Sequence, residues 1–183
     1  MTAWLVPTAR AIAWLPMAVV AVFLVVVSAL AANTDRWPIG LFGLAASAVA
    51  AAVVIGLRDR AANLLAAVPT SAEVRRNRRL TLLVPPGISV WLAYLWSGQA
   101  LVPWLGWPVG PVVALISTGV ALAALAPRAG LAVGVALPLA WTATAQAAGG
   151  LDDDVSFVLF AWHHHPWIVT LAAVAALLIG GDR

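Results

Sequence analysis

Residues 11–34 carry no charged side chain; Arg10 stands before them and Asp35 after them. A water-soluble surface cannot cover so long an apolar run. It does match the roughly 20 residues that a helix needs to cross a hydrocarbon core about 30 Å thick. Five further stretches repeat the pattern. The expected spans are 11–32, 39–57, 80–98, 108–126, 131–148 and 166–181. The chain thus reads as all-α, a polytopic membrane protein of six transmembrane helices in a single domain. Composition supports this. Of 183 residues 63% are hydrophobic and 9% charged, with a mean hydropathy of +1.00, whereas soluble domains carry about a quarter charged residues.

Three details qualify the spans. Pro85-Pro86-Gly87 interrupts the third. The sixth is short and needs either residues from Ser156–Trp162 or a thin local bilayer. Ser28-Ala29-Leu30-Ala31-Ala32 imitates a signal-peptide cleavage site. The apolar run before it exceeds a signal-peptide core, so a retained first span is expected.

The isoelectric point near 11.1 comes from ten arginines, with no lysine, against seven acids. Their positions decide what they mean. Segment 58–79 holds Arg58, Arg60, Arg75, Arg76, Arg78 and Arg79 against Asp59 and Glu73, a net of +4. Placing it in the cytoplasm puts both termini there too. Nine of the ten arginines then lie inside and only Arg36 outside, as the positive-inside rule requires. The outer connections carry Asp35, Asp152, Asp153 and Asp154 with Arg36, a net of −3. Basicity here signals orientation, and no nucleic-acid partner is expected. Trp37, Trp91, Tyr94, Trp96, Trp104, Trp107, Trp162 and Trp167 fall near outer ends, as an interfacial belt would, with Trp4 and Trp14 near the inner face.

The chain has no cysteine, which excludes disulfides, thiolate metal sites and thiol catalysis. Without lysine there is no Walker A phosphate loop. No carboxylate or histidine falls inside a span, against ion-coupled transport or intramembrane proteolysis, which place ionisable groups there. Ser28, Ser47, Ser89, Ser117, Thr118, Thr142, Thr144 and Gln146 are weak polar groups of the kind that bond between helices. Trp141, Thr142, Thr144 and Gln146 could line a polar pocket. The spacings Gly110 to Gly119 and Gly130 to Gly134 allow close helix contact. No catalytic residue and no cofactor are expected.

Two connections have structure of their own. Residues 61–68 read as a short helix ended by Pro69, and Thr70-Ser71 can cap a second helix running through Glu73 to Leu80. In the outer connection 149–165, Asp152–Asp154 begin a helix, where carboxylates complement its positive end. Ser156–Trp162 is too short to cross the bilayer and dips into the outer leaflet or lies on it. Asp152–Asp154 with His163, His164 and His165 offer ligands suited to zinc or copper(II). Adjacent histidines lack the spacing of a helical metal pair, however, and no metal site is expected.

The stretch Ala66-Ala67-Val68-Pro69-Thr70-Ser71-Ala72-Glu73-Val74-Arg75-Arg76-Asn77-Arg78-Arg79-Leu80 resembles one that permease subunits of type-2 ABC transporters carry before their third span. In those permeases, small and apolar residues, a proline and Ser/Thr precede a group of arginines. Six spans with both ends inside extend the resemblance along the chain. The resemblance implies a coupling helix resting on a separate nucleotide-binding ATPase subunit, with Val68, Pro69, Thr70, Glu73, Arg75, Arg76, Arg78 and Arg79 in the contact. It also implies a second permease chain, identical or not, and a bacterial plasma membrane. Asp152–Trp167 would form short re-entrant helices. The charge-free interior fits export of a lipophilic or amphiphilic cargo. Two other readings stay open: arginines that only set topology beside anionic headgroups, and a non-transporting accessory subunit of a larger membrane complex.

Overall fold

The computed structural model describes residues 4–34, 37, 39–58, 71–99, 101–103, 106–126, 129–147 and 157–180. Their regular structure is helical throughout: α1 Leu5–Ala11, α2 Leu15–Thr34, a 3-10 turn Ile39–Leu41, α3 Phe42–Gly56, α4 Ala72–Gln99, α5 Gly110–Leu125, α6 Gly130–Ala147, α7 Ala161–His164 and α8 Pro166–Gly180. Each of the six apolar stretches falls on a helix. α2, α4 and α6 are long and apolar enough to cross a membrane. α3, α5 and α8, at 15, 16 and 15 residues, are shorter apolar helices of roughly 22–24 Å.

The helices depart from the expected boundaries at two proline-bearing stretches. The first stretch is not one helix from residue 11. Pro16 has no N–H for the Ile12 carbonyl and its ring crowds that carbonyl. Ile12 is accordingly extended, at φ −78° and ψ 137°, and separates α1 from α2. The Trp14 ring N–H donates to the Ala9 carbonyl at 2.8 Å and satisfies one of the acceptors left at the end of α1. Pro85 and Pro86, in contrast, sit inside an unbroken α4, which also absorbs the separate cytoplasmic helix expected over 73–80. Here packing holds the helix in line. Gly87 lies so close to α3 that an added Cβ would stand 3.0 Å from Val53 Cγ2.

α3 is the centre of the bundle and packs against α2, α4, α5 and α6. Twelve of its fifteen residues are buried, so it has no face left for lipid. Alanine, glycine and serine make this possible, because four neighbours can approach so slim a helix together. Ser47 of α3 accepts a hydrogen bond from Thr142 of α6 at 3.1 Å, a buried link across that contact. α5 is the second hub, packed on α3, α6, α7 and α8. α2 and α8 are peripheral and leave apolar side chains uncovered, among them Phe23, Val25 and Leu30 on α2 and Ile168, Leu171 and Ile179 on α8.

α5 and α6 cross with their backbones in contact at Gly119 and Gly134. A Cβ on Gly119 would lie 2.8 Å from the Gly134 carbonyl oxygen, and one on Gly134 would run into the Gly119 carbonyl. Gly130 likewise abuts Ala123. Pro138 explains part of this. It offers no N–H to the Gly134 carbonyl, which is left to face the Gly119 backbone.

The expected aromatic belt divides in two. Trp96, Trp107 and Trp167 are exposed, as interfacial residues are. Trp37, Trp91, Tyr94 and Trp162 are buried and form an aromatic core at one end. Trp37 stacks on Tyr94 at 4.8 Å, Tyr94 meets Trp91 at 5.7 Å, and Trp91 meets Phe42 edge-on at 4.9 Å. The Trp91 ring N–H donates to the Pro108 carbonyl at 2.9 Å. Trp104 lies outside the described residues.

Candidate functional site

The arginine-rich end is built on the start of α4. Ser71 accepts the Val74 backbone N–H at 3.2 Å, the cap expected of it, and Glu73 places a carboxylate in the first turn. Helical spacing sets the order of the arginines: with residues three and four apart adjacent on the surface, they run Arg78, Arg75, Arg79, Arg76 round the helix, and Arg78 and Arg76 stand at opposite edges of the arc. Contacts agree. Arg75, Arg78 and Arg79 line a cleft against Trp4, Pro7 and Thr8 of the α1 region. Arg76 lines a separate hollow with Leu57, Val120 and Leu131.

The four arginines are not equivalent. Arg79 is buried, 5% exposed, and one guanidinium nitrogen donates to the carbonyls of Leu57 at 3.2 Å and Arg58 at 2.6 Å. It ties the end of α3 to α4, a role in the fold itself. Arg78 lies over the Trp4 ring, 5.5 Å from its centroid. Arg75 and Arg76 are half-buried. The outward face at this end consists of Glu73, Val74 and Asn77. Of the residues in the expected contact, Glu73 alone is fully on that face. Val68, Pro69 and Thr70 lie outside the described residues. Val74 and Trp4 are additions. Val74 was hidden by its ordinary apolar character, and Trp4 by its resemblance to any interfacial tryptophan.

The opposite end carries the histidines. His163 meets Phe42 edge-on at 5.7 Å and Trp162 at 5.6 Å, and His164 lies 5.1 Å away. His165 meets Phe157 at 5.2 Å. Gly43 makes room for this cluster, since a Cβ there would stand 3.0 Å from the Trp162 ring. Among the described residues no three His, Asp or Glu side chains group as a metal site would require, and Asp152–Asp154 lie outside them. The polar pocket imagined around Thr142 does not form: Thr142 is buried on Ser47, while Thr144 and Gln146 are exposed.

Burial, followed by the charge of His164, holds the His163 imidazole below its ordinary value of 6.5. The unfolded chain takes up a proton near 6.5 that the folded chain resists, so stability is full above that value and falls as pH drops through it. Thermal unfolding followed by tryptophan fluorescence should show this loss setting in as pH falls through about 6.5. His163→Gln should flatten it. An equal drop in the variant would remove His163 from the account.

Comparison of the chain with protein-family models, with characterised proteins and with solved structures finds no match.

Proposed function

We propose that the protein is the membrane-spanning permease subunit of an ABC exporter, crossing a bacterial plasma membrane six times with both termini in the cytoplasm. A separate ATPase subunit docks at the arginine-rich end, and a second permease chain completes the path for a lipophilic or amphiphilic cargo. The observation that carries this reading is the continuity of α4. One helix joins the outward face Glu73–Val74–Asn77 to the buried aromatics Trp91 and Tyr94, so a force at the docking face reaches the far end without crossing a loop. A groove of about 250 Å³ between α2 and α4 supports the cargo class. It has apolar walls including Leu24, Val25 and Val90, and Ser97 donates to Ser28 there at 2.7 Å. The uncovered faces of α2 and α8 are available for lipid and for the second chain.

The test is co-purification of the full chain from its native membrane, with sequencing of any partner. The expected result is a partner carrying a Walker A loop and hydrolysing ATP, lost on the exposed pair Val74→Asp and Asn77→Glu. Absence of an ATPase, or an association indifferent to that pair, refutes the reading. The accessory-subunit alternative is favoured if other membrane chains co-purify and no ATPase does.

A further inference from the structure

We propose that the cleft between α1 and α4 is a binding site for the phosphate headgroup of an anionic glycerophospholipid. The cleft measures about 280 Å³ and is lined by Trp4, Pro7 and Thr8 on one side and by Arg75, Arg78 and Arg79 on the other. That volume accommodates a headgroup whose acyl chains lie outside the cleft. Among the described residues no carboxylate lines it. The one acid at the start of the helix, Glu73, is turned to the exposed face. Among the described residues, one wall thus carries three guanidinium groups and the other an indole ring beside Pro7 and Thr8.

The geometry favours a phosphate over a generic anion. Guanidinium groups bind phosphate oxygens through pairs of parallel N–H bonds. The Arg78 guanidinium carbon lies 5.5 Å from the centroid of the Trp4 ring, a contact that positions the cation through its charge and not through its N–H donors. Arg79 is pinned by the Leu57 and Arg58 carbonyls, so its charge stays at the cleft without the entropy of a mobile side chain.

The surroundings favour a lipid over a free phosphate. Tryptophan at the rim is the residue type that settles at headgroup depth. Val6 on α1 is exposed, and so are Leu15 and Val19, which open the uncovered apolar face of α2 just beyond the 12–14 break. Acyl chains lying on that face would bring a headgroup to the cleft. This site neither requires nor uses the docking face Val74–Asn77, so the two readings fail independently.

The full chain in detergent micelles is titrated with dioleoyl-phosphatidylglycerol or dioleoyl-phosphatidylcholine. Retained lipid is counted by native mass spectrometry, and the unfolding temperature is followed. The expected result is preferential retention of one phosphatidylglycerol with a rise in unfolding temperature, and at least a tenfold loss of affinity in Arg75→Gln with Arg78→Gln. Thr8→Glu, which keeps every arginine and adds a carboxylate to the cleft, should lose affinity likewise and covers the case in which the double variant does not fold. Arg58→Gln, at the same end but outside the cleft, should bind as the parent does. Equal retention of both lipids overturns the proposal, as does equal loss in Arg58→Gln. Saturation by soluble glycerol 3-phosphate, with no gain from the acyl chains, would make it a free-phosphate site and overturn the lipid assignment.

Discussion

Replacing Gly134 by valine is expected to prevent the bundle from forming. The first Cβ atom already collides with the Gly119 carbonyl and stands 2.9 Å from Ala123 Cβ, and valine adds two methyl groups. Ordinary overpacking costs about 1–3 kcal/mol because side chains can shift. Here the obstacle is backbone in a helix that is itself packed on α3, α6 and α8, so the cost should exceed that range. Against a typical stability of roughly 5–15 kcal/mol, that is enough to deplete the folded state. Size-exclusion of the detergent-solubilised protein should show aggregate for Gly134→Val. Gly40→Val should remain monodisperse, because nothing lies within 4 Å of a Cβ at Gly40. A Gly134→Val variant that unfolds within a few degrees of the parent would show that the α5–α6 crossing is looser than described.

Arg79→Ala has the second-largest expected effect. The substitution strips a donor from the Leu57 and Arg58 carbonyls at the end of α3. These are the acceptors that a helix C-terminus leaves without an internal partner. Loss of a charged hydrogen bond at a buried position, with acceptors left behind, costs about 3 kcal/mol. Arg78→Ala removes a partly exposed cation–π contact and should cost about 0.5–1 kcal/mol. Thermal unfolding of the two variants side by side separates a structural arginine from a surface one, and hydrogen exchange should localise the first loss to the end of α3. Equal effects would disprove the assignment. The same contrast explains why the docking test spares Arg79: its removal would weaken α3 and mimic the loss of a partner.

Hydropathy was sufficient to find the six apolar helices, because a run without charge admits few other structures. Ser71 was legible as a cap for the same local reason, and Gly130 with Gly134 as a contact stripe. What escaped the sequence depended on neighbours. Pro16 breaks its helix and Pro85-Pro86 does not, although the local chemistry is identical. The difference is that α4 is packed on α3 right beside its prolines, where Gly87 meets Val53 and Leu83 meets Gly56, while α1 packs on α4 by the cleft at Arg75, Arg78 and Arg79. Trp37, Trp91, Tyr94 and Trp162 occupy belt positions in the sequence, yet they turn inward: Gly98 and Gly43 leave ring-sized gaps for Trp37 and Trp162, and Trp91 and Tyr94 pack on Phe42 and Trp37. The arginines were visible as one basic cluster. Their division into a buried tie, a cleft wall and a separate hollow depends on where α1 returns to meet α4.

The unbroken course of α4 has a mechanical consequence. Twenty-eight residues make a beam about 42 Å long, and Pro85 and Pro86 stand at its midpoint, where two internal hydrogen bonds are missing. The beam is therefore most compliant at its centre. A tilt of roughly 10° about that fulcrum moves each end by about 4 Å. Arg79 fastens one half to the end of α3, and Trp91 fastens the other to the Pro108 carbonyl. Whatever displaces the basic end must either swing the aromatic end with it or be absorbed as a bend at the two prolines.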